Sequence, residues 1–245
     1  MPYITPYPGG TLSSSAFLFI FTPMHPYLDP LESEFKKRYH RENARAIKSY
    51  LRNQFEAYGI TTPMRRRLCI NHMNKGLPRY REVPAIVKSC WKRPERDWQY
   101  FAVELLAKYR KEWDNKIVKL IEWMIVHKSW WDTVDHIASE LTGPFFQLFP
   151  EKILRVTASW NRSENIWLQR SSIMFQKKYR SGTNSELLAK YILHLKDSKE
   201  FFVQKAIGWA LREYSKTNPQ WVKDFVSTHD LPLLSHREAL KRIVK

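Results

Sequence analysis

The sequence predicts an all-α protein, a right-handed-type α-solenoid of helical pairs with a concave basic face. The main observation is a repeat in which a glutamine is followed ten residues later by a tyrosine, at Gln99, Gln169 and Gln204. These glutamines are 70 and 35 residues apart, so the period is 35 residues and one copy, at Val134, lacks the motif. A period of this length is typical of one helical pair in a solenoid.

The pattern of apolar residues and the scarcity of glycine support the same fold class. Residues 165–179 and 201–214 place apolar side chains at roughly helical spacing, which predicts a helix over each. The chain has only 7 glycines, and no segment alternates apolar and polar residues for long enough to predict a strand. We therefore expect helices joined by short turns.

Three segments resemble helix starts. Ser129 with Asp132 three residues later, and Asp197 with Glu200 three residues later, have the spacing of capping boxes. Pro94 suits the first turn of the helix that follows it.

The composition predicts one folded domain over residues 24–245. Hydrophobic residues make up 43% of the 245 residues, and no apolar run approaches the roughly 20 residues of a membrane span. Residues 1–23 contain no Lys or Arg and are predicted to be a disordered extension or a mis-assigned start, with Met24 as the true first residue. Cys69 and Cys90 are expected to be buried thiols, and the spacing of Cys and His predicts neither a metal nor a cofactor.

The charge of the chain indicates a polyanionic partner. The sequence has 41 Lys and Arg against 24 Asp and Glu, a net charge of +17, which is typical of nucleic-acid binding. The residue that follows the glutamine position of each copy, at 99, 134, 169 and 204, is Tyr100, Asp135, Arg170 and Lys205 in turn. Arg65 lies on the same 35-residue ladder, and we call these five positions the register. Asp135 is therefore a single carboxylate in a row of cations and aromatics, which suggests a chemical rather than a structural role.

Two of the 10 tryptophans share a helix face with charged residues. Trp131 lies four residues before Asp135, and Trp209 lies four residues after Lys205 and three before Arg212. Such positions suit π contacts to a cationic group. Seven others are expected to be structural: Trp91, Trp98, Trp113, Trp123, Trp160, Trp167 and Trp221.

The segments 128–135, 165–170 and 198–214 carry a family resemblance. They read KSWWDTVD, NIWLQR and SKEFFVQKAIGWALREY, and they resemble the bacterial AlkD family of alkylpurine DNA glycosylases. The likeness runs from about Met24 to the C-terminus. It implies HEAT-like repeats whose concave face holds duplex DNA, and hydrolytic release of purines alkylated at N3 or N7, such as 3-methyladenine and 7-methylguanine.

The resemblance also implies roles for individual residues. The catalytic acid falls on Asp135, the two tryptophans that flank the lesion on Trp131 and Trp209, and the DNA-contacting arginine on Arg170. Further DNA-binding positions are Lys178, Phe201, Phe202, Arg212 and Tyr50, to which the register adds Lys205. No lysine of the motifs is placed as an amine nucleophile, so we expect a monofunctional glycosylase without lyase activity. We also expect the protein to act as a monomer in the cytoplasm and to be nucleoid-associated when it is bound to DNA.

Two alternatives stay open at this stage. Asp135 could be an acid of a first helical turn that interacts with the helix dipole, although Asp132, which completes the box with Ser129, fits that role better. The protein could also be a non-catalytic helical-repeat protein that binds bent or branched DNA, or one that binds RNA or protein. Either would tolerate the loss of Asp135, whereas a glycosylase would not.

Overall fold

A computed structural model describes residues 25–243 as a succession of helices linked by short turns. The helices are α1 (Asp29–Lys37), α2 (Arg41–Tyr50), α3 (Thr62–Lys75), α4 (Val83–Lys92), α5 (Arg96–Lys108), α6 (Ile117–Val126), α7 (Trp131–Ile137), α8 (Gly143–Leu148), α9 (Ile153–Asn161), α10 (Ile166–Met174), α11 (Ser185–Leu195), α12 (Phe201–Tyr214), α13 (Pro219–Thr228) and α14 (Leu233–Leu240). A π-helical turn, Ala138–Thr142, joins α7 directly to α8. No strand forms within these residues, and the prediction of an all-α solenoid is confirmed. Residues 1–23 and Met24, on which the start-site prediction rests, lie outside the described residues.

The repeated glutamine has the same structural role in each copy. The side chain of Gln169 donates a hydrogen bond of 2.7 Å to the carbonyl of Ser163. Gln204 donates one of 2.9 Å to the carbonyl of Ser198. Gln99 likewise donates to the carbonyl six residues before it, at 3.2 Å. Each glutamine thus satisfies a loop carbonyl just ahead of its own helix, which fixes the start of α5, α10 and α12.

The repeated tyrosine connects neighbouring repeats in two of its three copies, at Tyr109 and Tyr179. Tyr109 donates its hydroxyl hydrogen to the carbonyl of Pro78, and Tyr179 donates to the carbonyl of Gly143 at 2.7 Å. In both cases the acceptor lies roughly one repeat earlier in the chain. The 35-residue motif therefore maintains the stacking of the solenoid, which leaves the adjacent register position available for other chemistry.

The core of residues 25–243 forms two apolar clusters. The larger cluster is contributed by α1 and by α3 to α11 and includes Trp98 and Trp160, both almost fully buried. The second lies towards the C-terminus, where α12 packs on α10, α13 and α14 around Ile207 and Leu211. Four of the seven predicted structural tryptophans are buried, and the other three are half-buried against the same clusters. Cys69 and Cys90 are buried free thiols, as predicted.

The capping predictions are wrong at both boxes. The Ser129 hydroxyl donates back to a carbonyl of α6, and Trp130 is the N-cap residue of α7. Asp132 instead forms an ion pair with another helix. Asp197 is exposed and pairs with its neighbour Lys196, while α12 begins at Phe201 without a side-chain cap. Local spacing alone does not decide such cases, because the same side chains can find better partners elsewhere.

The predicted helix limits are correct at α12 and only partly so elsewhere. The prediction of a helix over 201–214 matches α12 in full. In the 165–179 segment the helix ends earlier, at Met174, and Asn165 caps it by accepting from the backbone N–H of Trp167 at 3.0 Å. Pro94 lies two residues before the first residue of α5 rather than in its first turn.

Candidate active site

Asp135 lies in the middle of α7 and is held by Arg170 of α10. The guanidinium donates from Nε to Oδ1 at 2.7 Å and from Nη2 to Oδ2 at 2.8 Å, which is a bidentate, charge-assisted pair. The Arg170 side chain is only 1% exposed, whereas that of Asp135 is 13% exposed. The carboxylate of Asp135 is therefore fixed in orientation by Arg170 and stays partly accessible to solvent.

Arg170 has a different position from the one that the sequence suggested. Its remaining nitrogen, Nη1, donates to the carbonyl of Phe202 at 2.5 Å, so all three guanidinium nitrogens are engaged within the protein. A direct phosphate contact would require this buried side chain to leave Asp135. In the structure Arg170 instead links the carboxylate of α7 to the first turn of α12.

The register predicted as a row of cations is a series of ion pairs and hydrogen bonds between repeats. Arg65 pairs with Glu104 at 3.0 Å, and Tyr100 donates its hydroxyl hydrogen to Asp132 at 2.5 Å. Lys205 pairs with a glutamate of α14. Most register side chains thus reach an acid about one repeat away, and Asp135 is the partner of Arg170 rather than an interruption of the row.

Trp209 is surrounded by positive charge. Its ring centroid lies 5.4 Å from the Arg170 guanidinium carbon and 5.5 Å from that of Arg212. The Nζ atoms of Lys177 and Lys205 both lie 5.6 Å from the same centroid. All four distances are within the range of cation–π attraction, so four cationic side chains stabilise the position of the indole ring.

A cavity of about 190 Å³ borders Arg170, the partner of Asp135, although Asp135 itself does not line it. It is lined by Tyr50, Trp131, Arg170, Phe201, Phe202, Lys205 and Trp209. Tyr50 is 69% exposed and meets Trp131 edge-on, with ring centroids 5.4 Å apart. Trp131 and Asp135 stand one turn apart on α7, as their spacing predicted. The structure therefore brings together most of the predicted site residues, from four different helices.

The loop before α7 positions Trp131. Lys128 adopts a left-handed conformation with φ of 48°, an uncommon conformation for a residue other than glycine. Its carbonyl accepts a hydrogen bond of 2.8 Å from Nη1 of Arg96, and its Nζ donates to the carbonyl of Arg93 at 2.5 Å. The turn that sets the direction of α7 is thus held through Lys128, by Arg96 of α5 and by the carbonyl of Arg93 in the turn that precedes α5.

Arg96 and Asp132 form a second bidentate pair, one turn before the first on α7. Arg96 donates from Nε and Nη2 to the Asp132 carboxylate at 2.9 and 2.7 Å, and both side chains are buried. Burial alone would raise the pKa of Asp132, but the hydrogen bonds and charge of Arg96 and the hydroxyl of Tyr100 hold that pKa below its ordinary value. Asp132 is therefore a structural carboxylate, and α7 is fixed by two arginines from two neighbouring helices.

Asp132→Asn is expected to destabilise the protein by about 3–5 kcal/mol at pH 7, because it leaves Arg96 buried without an anion. Since the folded-state pKa of Asp132 is depressed, its contribution is present above its ordinary pKa of 3.8 and is lost as the pH falls through the folded-state value. Urea unfolding of wild type and variant from pH 7 to pH 3 measures this difference, which should shrink in acid. Asp197→Asn, at a side chain 84% exposed, is the control and should change stability by less than about 0.5 kcal/mol. Equal stability of Asp132→Asn and wild type at pH 7 would contradict the assignment.

Lys178 does not join the other predicted residues. It is 59% exposed and pairs with Glu140, which also accepts from Nη2 of Arg110 at 3.0 Å. These side chains line a separate depression beside His136. Its neighbour Lys177, which the sequence did not single out, reaches Trp209 instead, as Lys205 also does.

Glu238 is the second residue that the sequence analysis missed. It lies on α14 and accepts from Lys205 at 2.9 Å and from Arg212 at 2.5 Å. Its position 33 residues after Lys205, close to one repeat, is the signal that could have identified it.

Residues 25–243 contain neither a candidate metal site nor a candidate membrane-spanning helix. No group of three or more His, Cys, Asp or Glu side chains there is placed to hold a metal ion. In the same range no helix combines the length and the apolar character that crossing a membrane requires. The site consists of a carboxylate, aromatic rings and cations.

The chain is similar to known proteins. The family model described as DNA alkylation repair enzyme matches residues 31–243. A solved structure, a predicted DNA alkylation repair enzyme from Enterococcus faecalis, is similar with a TM-score of 0.78 and 30% sequence identity, over 85% of this chain and 98% of that chain. No curated protein matches the chain significantly. The matched range includes every helix that contributes to the cavity.

Proposed function

The chain belongs to the family of DNA alkylation repair enzymes, and we propose that it is a monofunctional DNA glycosylase. Its substrates would be purines made cationic by alkylation at N3 or N7 in duplex DNA, such as 3-methyladenine and 7-methylguanine. The reaction is hydrolysis of the N-glycosidic bond, which leaves an abasic sugar. The enzyme would work in the cytoplasm on chromosomal DNA, as a monomer.

The observation that carries this proposal is the Asp135 carboxylate, held by Arg170, whose side chain lines the aromatic cavity. Alkylation already gives the purine a positive charge, so the base departs as a neutral molecule and needs little help. The remaining requirement is to stabilise positive charge that grows on the deoxyribose as the bond breaks. A preorganised anion beside the sugar meets that requirement.

The hydrogen bonds of Asp135 leave room for a second task. Each carboxylate oxygen can accept about two hydrogen bonds, and among the described residues each receives one, from Arg170. A free acceptor position on either oxygen can orient the attacking water and take its proton. One carboxylate thus supports both the departing base and the incoming nucleophile.

The aromatic rings suit the nucleotide that the cavity would hold. Trp131 and Trp209 both line the cavity and present π surfaces to a sugar and base that carry positive charge. Tyr50 and Phe201 are exposed at its rim, where they can contact the neighbouring nucleotides.

The surrounding cations would bind the DNA backbone. Lys177, Lys205 and Arg212 lie around Trp209, next to the position proposed for the damaged nucleotide. Contacts of this kind set the register of the strand without reading its sequence. Lys205, which lines the cavity, is engaged by Glu238 rather than free to attack the sugar, which supports hydrolysis without lyase chemistry.

Base release from a methylated duplex tests the proposal. Wild-type protein should release 7-methylguanine and 3-methyladenine well above the spontaneous rate, measured by chromatography of the free bases under single-turnover conditions. The product strand should stay intact until it is heated in alkali, because no amine attacks C1′. Release no faster than in buffer would leave a DNA-binding protein without this activity, and strand cleavage without alkali would contradict the monofunctional assignment.

A further inference from the structure

The C-terminal helix α14 makes an unusually close approach to α12 at Gly208. A Cβ atom at this position would lie 2.5 Å from the Cβ of Glu238 and 2.8 Å from the carbonyl oxygen of Ser235. Only glycine permits that distance. Ser235 adds a hydrogen bond of 2.8 Å to the carbonyl of Gln204. The contact is therefore specific, and it places the side chain of Glu238 beside the cationic face of α12.

Glu238 binds two cations of α12 at once. Its Oε1 accepts from Lys205 and its Oε2 from Arg212, and its side chain is only 8% exposed. Burial by itself would raise the pKa of Glu238, but the hydrogen bond and charge of Lys205 and the charge of Arg212 hold that pKa below its ordinary value. The carboxylate therefore stays charged at neutral pH and holds both side chains.

The two cations held by Glu238 are also neighbours of Trp209. Lys205 and Arg212 lie 5.6 and 5.5 Å from its ring centroid, on α12 positions four residues before and three after it. Both side chains are long and flexible, and ordering them without a partner would cost conformational entropy. Glu238 provides that order in the free protein. It also offsets one of the two positive charges that DNA would meet there.

We propose that Glu238 is a positioning residue with two effects: it aligns Lys205 and Arg212 around Trp209, and it limits the affinity of this surface for undamaged DNA. This inference rests on the proposed function for its first effect and on charge alone for its second. If Glu238 only anchored α14, its loss would weaken folding, binding and activity together. It would not raise the affinity for undamaged DNA while it lowers the rate of base release.

Glu238→Gln separates these possibilities. The variant removes one negative charge beside two cations, so its affinity for undamaged duplex at low salt should rise by about fivefold. The slope of log affinity against log salt should steepen by about 0.9, the value for one added phosphate contact. The rate of 7-methylguanine release at saturating enzyme should fall, on the order of 10-fold to 10²-fold, because the two cations lose their alignment.

Glu140→Gln is the matched control. Glu140 also binds two cations, Arg110 and Lys178, but in the depression away from the cavity. Its loss changes the charge of the protein by the same amount, so affinity should rise similarly while the release rate at saturating enzyme stays at the wild-type value. Ser235→Ala removes a contact of α14 without a change in charge and reports the cost of loosening the helix alone.

The outcomes are distinct. An unchanged release rate in Glu238→Gln overturns the alignment effect, and an unchanged or lower affinity overturns the charge effect. A fall in both, matched by Ser235→Ala, would mean that Glu238 only anchors α14. If wild-type protein releases no base, the proposed function and the alignment effect fail together, while the binding measurement still decides the effect on affinity.

Discussion

Replacement of Asp135 by Asn is expected to slow the release of 7-methylguanine on the order of 10²-fold or more. Asn has the shape of Asp but no charge, so it cannot stabilise the positive sugar, and its amide oxygen is a poor base for water. The loss should appear in the single-turnover rate at saturating enzyme. Affinity for undamaged duplex should be equal or higher, because a negative charge leaves a basic surface.

A loss of activity in this variant must be separated from a loss of structure. The Asp135→Asn change would leave the buried Arg170 without its anion, and breaking a buried pair in this way costs about 3–5 kcal/mol. Glu104→Gln is the matched control, since it breaks the pair with the buried Arg65 away from the cavity. Thermal unfolding of both variants should show comparable destabilisation, and only Asp135→Asn should lose base release. A wild-type release rate in the Asp135→Asn variant would mean that Asp135 is not catalytic.

The fold could be predicted from the sequence because its signals are local and repeated. The helical spacing of 201–214 predicts α12 to the residue. The placement of Trp131 one turn before Asp135 follows from the period of an α-helix and needs no tertiary information. The repeated glutamine also gave the correct period, and the structure supplies its reason in the loop carbonyls that these side chains satisfy.

The pairing of side chains between repeats could not be predicted in the same way. The 35-residue ladder correctly placed Asp135 and Arg170 at equivalent positions, but it suggested a row of separate charges. In a stacked solenoid, equivalent positions of adjacent repeats are neighbours, so the long side chain of Arg170 reaches the acid of the preceding repeat. Asp132 shows the same effect, since its ion pair with Arg96, 36 residues earlier, replaces the predicted cap. The stronger partner is distant in sequence.

Because Arg170 is bound to Asp135 and to the carbonyl of Phe202, its replacement by lysine should slow base release, which would not be expected if Arg170 only contacted a DNA phosphate. Arg170→Lys keeps the charge but loses the planar fork that binds both oxygens of Asp135 and the carbonyl of Phe202. The release rate should fall on the order of 10-fold to 10²-fold, because the carboxylate is no longer fixed in orientation. A mere phosphate contact would tolerate lysine and show little loss of rate.

The binding role of Arg170 needs a change that leaves the net charge unaltered. Arg170→Gln combined with Asp135→Asn removes the pair as a unit, so the salt dependence of binding to undamaged duplex should match that of wild type. Lys205→Ala should instead reduce the salt slope by about 0.9, because Lys205 lines the open cavity. A slope reduced by the same amount in the double variant would mean that Arg170 contacts a DNA phosphate. A wild-type slope in the double variant, together with slow release in Arg170→Lys, would establish Arg170 as the residue that orients Asp135.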